Sequence, residues 1–144
     1  MYHFHATIHA RPDRAAAGPA VAIDGRQATM LQVPPDVLAA TPFDCTFEEA
    51  AAALSALPRM YCEPDGSFVW VSSHDQPAWQ VDGNLYDRHC RLLFVDLKGA
   101  CPPEAFDRLL GCFGWPRQPI VLQLVRQAVF VDEAEFRRIS QSES

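Results

Sequence analysis

The chain has 144 residues, 49% hydrophobic and 21% charged, which suits one domain with a buried core and argues against disorder. With 18 acidic and 12 basic residues the net charge is −6, which disfavours a role on a phosphate backbone. No apolar run approaches the roughly 20 residues of a membrane span. The start Met1-Tyr2-His3-Phe4-His5 lacks the basic and apolar segments of a signal peptide, so a cytoplasmic location without membrane association is expected. The five cysteines, Cys45, Cys62, Cys90, Cys101 and Cys112, are odd in number and form no C-x-x-C pair. Free thiols in a reducing compartment follow, rather than a disulfide framework or a cysteine zinc site.

Tyr2 to Ala10 alternates cleanly: Tyr2, Phe4, Ala6, Ile8 and Ala10 point one way, His3, His5, Thr7 and His9 the other. This is a strand with one buried face. Arg14 to Ala20 reads as a loop. Val21–Ile23 and Ala28–Val33 flank Asp24-Gly25, a hairpin turn, and Pro34-Pro35 closes the unit. A helix runs from about Phe47 to Leu57, with Thr46 as N-cap and Glu49 completing a capping box. Pro58 stops it. Met60–Glu63 and Ser67–Ser73 form a second hairpin about Pro64-Asp65-Gly66, with Phe68 and Trp70 on one face. Polar loop follows from Ser73 to Pro77. Trp79–Val81 and Leu85–Tyr86 belong to the next strand and Arg91–Lys98 to another. Pro102-Pro103 opens a helix to about Phe113, with Phe106, Leu109, Leu110 and Phe113 on its apolar stripe. Ile120–Val125 is a buried strand, Ala128–Val131 continues it after a turn, and Asp132 caps a short last helix ahead of a polar tail, 141–144.

The expected fold class is α+β: a single domain over residues 1–144, with a mainly antiparallel sheet, two main helices and a short C-terminal helix. Within it, residues 1–45 supply the N-terminal strand and hairpin. Residues 46–125 form a core of helix, three strands, helix and strand, and 126–144 supply a strand, the short helix and the tail.

The most suggestive chemistry lies between Val81 and Gly99. Asp96-x-Lys98 at a strand end can hold a divalent metal beside an amine, and Asp82 on the partner strand offers a second carboxylate. The bland alternative makes Asp82-Gly83 a turn and Asp96 and Lys98 solvated charges. Strand parity separates the two readings: a simple four-residue turn at Asp87–Cys90 sets Asp82 against Val95, and only an odd loop or a bulge brings both acids to one face. His3, His5 and His9 share a face and could chelate a transition metal with a third ligand such as His74, Asp75 or His89. Otherwise they line the wetter face of an outer strand. Cys101, at a helix start whose dipole lowers a thiol's pKa, is the candidate reactive cysteine. Trp79 is the candidate for an exposed aromatic contact, with Trp70, Trp115, Phe68 and Tyr86 expected in or near the core.

With Asp82 and Asp96-x-Lys98 on successive strands, residues 46–125 resemble the core of the PD-(D/E)xK nuclease superfamily. That resemblance implies a Mg²⁺- or Mn²⁺-dependent phosphodiesterase acting on nucleic acid. Asp82 and Asp96 would be its metal ligands and Lys98 its catalytic lysine, with Glu48 or Glu49 as a further acid and Gln123 assisting. Val81 stands where the family has proline, and Asp96 where glutamate is commoner. The leading expectation from the residues themselves is a non-catalytic module that contacts a protein or small ligand and needs no cofactor.

Overall fold

The structure, a computed structural model, describes residues 1–74 and 77–141. Among the described residues nine strands form one antiparallel sheet. They are β1 (Tyr2–Ala10), β2 (Ala16–Ile23), β3 (Arg26–Gln32), β4 (Met60–Cys62), β5 (Ser67–Val71), β6 (Gln80–Arg88), β7 (Arg91–Cys101), β8 (Ile120–Leu124) and β9 (Val129–Asp132). Their order across the sheet is β2-β3-β9-β8-β1-β7-β6-β5-β4. Four helices accompany them: α1 (Pro35–Ala39), α2 (Phe47–Ser55), α3 (Pro103–Gly111) and α4 (Glu133–Ser140). This is the expected α+β class. Among the described residues no helix is long and apolar enough to cross a membrane.

Alternation in β1 is as expected, with Tyr2, Ala6, Ile8 and Ala10 buried on one face. Its position is not: it is fifth of nine, between β7 and β8, and not an outer strand. Strands β7 and β8 are both antiparallel to β1, so they run parallel to one another with β1 between them and α3 in the connection. The helices cover the face bearing Tyr2, Phe4 and Ala6. The Phe106 ring of α3 meets Tyr2 edge-on at 5.6 Å and stacks on Phe136 of α4 at 5.2 Å. The Arg137 guanidinium lies 5.2 Å from both the Phe106 and Trp115 rings and pairs with Asp107 and Glu133. Each buried Phe or Leu in this layer contributes about 1.5–3 kcal/mol through area removed from water.

Local signals explain most element ends. Thr46 and Glu49 form the reciprocal capping box of α2, and Asp132 caps α4 through the Glu135 N–H. Asp24 (φ 49°) and Gly25 (φ 82°) form the two-residue turn between β2 and β3, where both residues need positive φ.

Three of these readings fail. Residues 16–20 belong to β2 rather than to a loop. This strand is at the sheet edge, so Pro19 is tolerated and the register slips between Ala17 and Ala20. The hairpin does end ahead of Pro34-Pro35, and the pair also opens the short α1, because Pro35 is a good first helical residue. Four strands, not three, separate α2 from α3. Asp82-Gly83 is not a turn but mid-strand in β6. There the Phe68 ring lies over Gly83 so closely that a Cβ would stand 2.1 Å from its Cζ, so the glycine is a packing requirement.

Candidate functional site

The turn between β6 and β7 decides the geometry of the Asp82–Lys98 region. Arg88 pairs with Arg91 around a two-residue turn, His89 (φ 52°) and Cys90 (φ 69°). One step further the register shifts: Asp87 faces Leu92 while Tyr86 faces Phe94, so Leu93 is the extra residue of a bulge. Asp82 therefore stands opposite Lys98, and Asn84 opposite Asp96. Because directly paired residues share a face, all four side chains stand on the side of the sheet away from the helices.

Cross-strand rows continue from there. One runs Tyr61, Val69, Asp82, Lys98, His5, with Val125 beyond it through a hydrogen bond from its N–H to the His5 carbonyl, 3.0 Å. The next runs Ser67, Asn84, Asp96, Thr7, Gln123, Phe130, Leu31. A third runs Tyr86, Phe94, His9, Val121, Asp132. The three exposed large apolar side chains among the described residues, Tyr61 (61%), Tyr86 (40%) and Val125 (40%), all stand on this face.

Asp82 and Asp96 are diagonal neighbours, about 7–8 Å apart at the backbone. Asp82 Oδ1 accepts from Gln80 Nε2 at 2.9 Å. Lys98 is exposed and makes no ion pair within 4.0 Å among the described residues. The Asn84 Oδ1 atom, beside Asp96, is buried and receives no hydrogen bond. Gln123 shares the face, two strands from Asp96. Glu48 and Glu49 do not: they belong to α2 on the helix side, where the Glu49 carboxylate is taken by the Thr46 N–H.

His3, His5 and His9 share the open face but not an environment. His9 is buried, with its Nε2 2.8 Å from Thr7 Oγ1, stacked on Phe94 at 5.4 Å and edge-on to Phe130 at 5.8 Å. Desolvation holds its pKa down at about 4. Among the described residues no group of three or more His, Cys, Asp or Glu has metal-binding geometry. Of the suggested third ligands, His74 lies with its Nε2 2.8 Å from Arg59 Nη1, His89 is in the β6–β7 turn, and Asp75 is outside the described residues.

Cys101 corrects a further expectation. It is fully buried at the end of β7, and desolvation raises its thiol pKa to about 12, overwhelming any lowering by the helix start. Cys90, in the exposed turn, is the accessible thiol.

Trp79 is half-buried, its ring edge-on to Trp70 at 5.0 Å. The two indoles differ in one respect. Trp70 Nε1 donates to the Pro58 carbonyl at 2.9 Å, whereas Trp79 Nε1 is buried without an acceptor. Arg59 Nε is also buried and unpartnered. Arg59 went unremarked in the sequence; its positive φ of 60° and its carbonyl's bond from the Val71 N–H fix it beside β5, and no local pattern announces that.

These features define a small α+β protein with one helix-covered sheet face and one open, mixed polar and aromatic face. Compared with protein-family models, curated proteins and solved structures, the chain matches none.

Proposed function

We propose that this chain is a cytoplasmic, non-catalytic interaction module that docks a protein partner on its open sheet face. The observation that carries the reading is that Tyr61, Tyr86 and Val125 all stand on that face, Tyr61 and Val125 at the two ends of the row that holds Asp82, Lys98 and His5. Exposed tyrosines among charges of both signs suit a protein surface, where aromatic residues supply contact area and charges supply register. A net charge of −6 favours a protein over nucleic acid as the occupant. The test is a photo-crosslinking residue placed at Tyr86, and separately at Glu104 on the helix side, of the chain expressed in its own cells. A discrete adduct from position 86, absent at 104 and lost in a Tyr61→Ala/Lys98→Glu background, is expected. Adducts of equal yield at both positions would refute the docking face.

A second reading, a metal-dependent phosphodiesterase, is favoured by one observation. The bulge turns Asp82, Asp96 and Lys98 to one side, with the unpartnered Asn84 Oδ1 among them. Oxygen donors of this kind suit Mg²⁺ or Mn²⁺, which would polarise a phosphoryl oxygen and lower the pKa of a bound water. Thermal unfolding during Mn²⁺ titration separates the readings. Saturable stabilisation lost in Asp82→Asn/Asp96→Asn supports the enzyme, and an unmoved midpoint supports the docking module.

A further inference from the structure

Two N–H groups that are buried without an acceptor among the described residues belong to side chains that line one groove. Arg59 and Trp79 line a groove of about 340 Å³ with Ser73 and His74. Trp79 and Ser73 also line a second groove, of about 280 Å³, against the start of α3, where Trp70, Pro102 and Arg108 form the walls. The shared residues make the two grooves adjoin at Trp79.

Buried donors in folded proteins are nearly always bonded, and one left alone carries its full desolvation cost. Two residues of one groove each carry such a donor, Arg59 Nε and Trp79 Nε1, both closed beneath its surface, and they mark the place of a missing acceptor. The walls give its charge. Among the described residues that line the two grooves, the cations Arg59 and Arg108 outnumber the one anion, Glu104, a local cationic surplus on a chain of net charge −6. Donors and guanidinium groups repel a metal ion and attract an oxyanion. The apolar walls, Pro58, Trp70 and Pro102, suit a hydrocarbon or aromatic body. The 340 Å³ groove sits at the small end of the range for ligand pockets, about 300–1,000 Å³, and the 280 Å³ groove falls just below it.

We propose that the Trp79 groove binds a small organic anion with an apolar body, whose oxygens accept from Arg59 Nε–H and Trp79 Nε1–H. Both nitrogens are closed to solvent in this structure, so binding turns the Trp79 indole against Trp70 and shifts the Arg59 side chain to present the two N–H groups. The shared chemistry is an oxyanion on an apolar body, and the source is a carboxylate or a phosphate ester.

Isothermal titration of the full chain with phenylacetate and with phenyl phosphate tests this, with phenylacetamide as the uncharged counterpart and inorganic phosphate as the anion without a body. Saturable binding of at least one of the two aromatic anions is expected. Trp79→Phe keeps a ring against Trp70 and loses the N–H, and Arg59→Gln loses the guanidinium. Each is expected to weaken binding about tenfold, the loss of one hydrogen bond to a charged acceptor. No saturable binding of either anion up to about 10 mM overturns the proposal. So does equal binding of phenylacetamide, of inorganic phosphate, or by both groove variants. The comparison among the four probes uses the wild-type chain alone, so it decides even where a substitution unfolds the protein.

Discussion

His9 makes stability depend on pH in a way that can be worked out from its surroundings. It is 8% exposed, between Phe94 and Phe130, with one ring nitrogen engaged by Thr7 Oγ1. Its folded pKa, lowered by desolvation to about 4, lies below the ordinary value of 6.5. Between those values the unfolded chain binds the proton and the folded chain does not, so stability rises with pH through this window. The contribution is fully present above about pH 6.5 and is lost as the pH falls towards 4. At 1.36 kcal/mol per pKa unit it amounts to about 3 kcal/mol. For a chain of this length that is a fall of about 10 °C in Tm. Denaturant unfolding at pH 7, 5.5 and 4, on wild type and on His9→Phe/Thr7→Val, isolates the effect. Phenylalanine keeps the ring between its neighbours, valine removes the hydroxyl that would lose its partner, and every other titrating group is common to both proteins. Wild type should lose about 3 kcal/mol more than the variant between pH 7 and 4. Parallel pH profiles would show that His9 is solvated enough to charge within the fold, and the reasoning from burial would fail.

Other outcomes are as definite. With the Cys101 thiol pKa raised to about 12 by burial, native protein at pH 8 should leave Cys101 unmodified by a thiol reagent that labels Cys90, and labelling of Cys101 should follow global unfolding; peptide mapping after brief alkylation reads this directly. Gly83→Ala should lower stability by about 1–3 kcal/mol through overpacking against Phe68, and Phe68→Leu in the same chain should recover part of the loss, measured by urea unfolding.

What the sequence made legible was local, and what it hid was mostly long-range or a matter of burial. The period-2 pattern of β1, the Asp24-Gly25 turn and the caps at Thr46 and Asp132 are each written within a few residues. Nothing near Tyr2–Ala10 says that two further strands will flank it, because strand order is decided by contacts far apart in the chain. Asp82-Gly83 has the letters of a turn, yet the ring that claims Gly83 belongs to Phe68, on the neighbouring strand. The turn that does form, at His89-Cys90, has positive φ at two residues and no glycine, so turn chemistry could not find it. Cys101 sits where a helix dipole lowers a thiol's pKa, but an apolar enclosure acts in the opposite direction and is stronger. Trp79 was visible as a half-exposed aromatic. Its partner in the groove, Arg59, was not, since the two are brought together by the pairing of β4, β5 and β6.

The bulge at Leu93 shows how little separates two functional meanings of one motif. In an unbulged hairpin with the same His89-Cys90 turn, every pairing of β6 with β7 beyond Asp87 would slip by one residue, setting Asp82 against Leu97 and Asn84 against Val95. That register would set the two acids on opposite faces, and it would turn either Asp82 and Asn84 into the core or Val95 and Leu97 out of it. Val95 and Leu97 are at most 1% exposed, and β7 pairs with β1 as well as β6, so the apolar face of β7 is held from both sides. The core thus enforces the bulge, and the bulge turns Asp82, Asn84, Asp96 and Lys98 outward together. Their shared face follows from burying Val95 and Leu97 and requires no catalytic purpose. The argument for chemistry there must rest on what the four groups bind, and metal titration of Asp82→Asn/Asp96→Asn measures that directly.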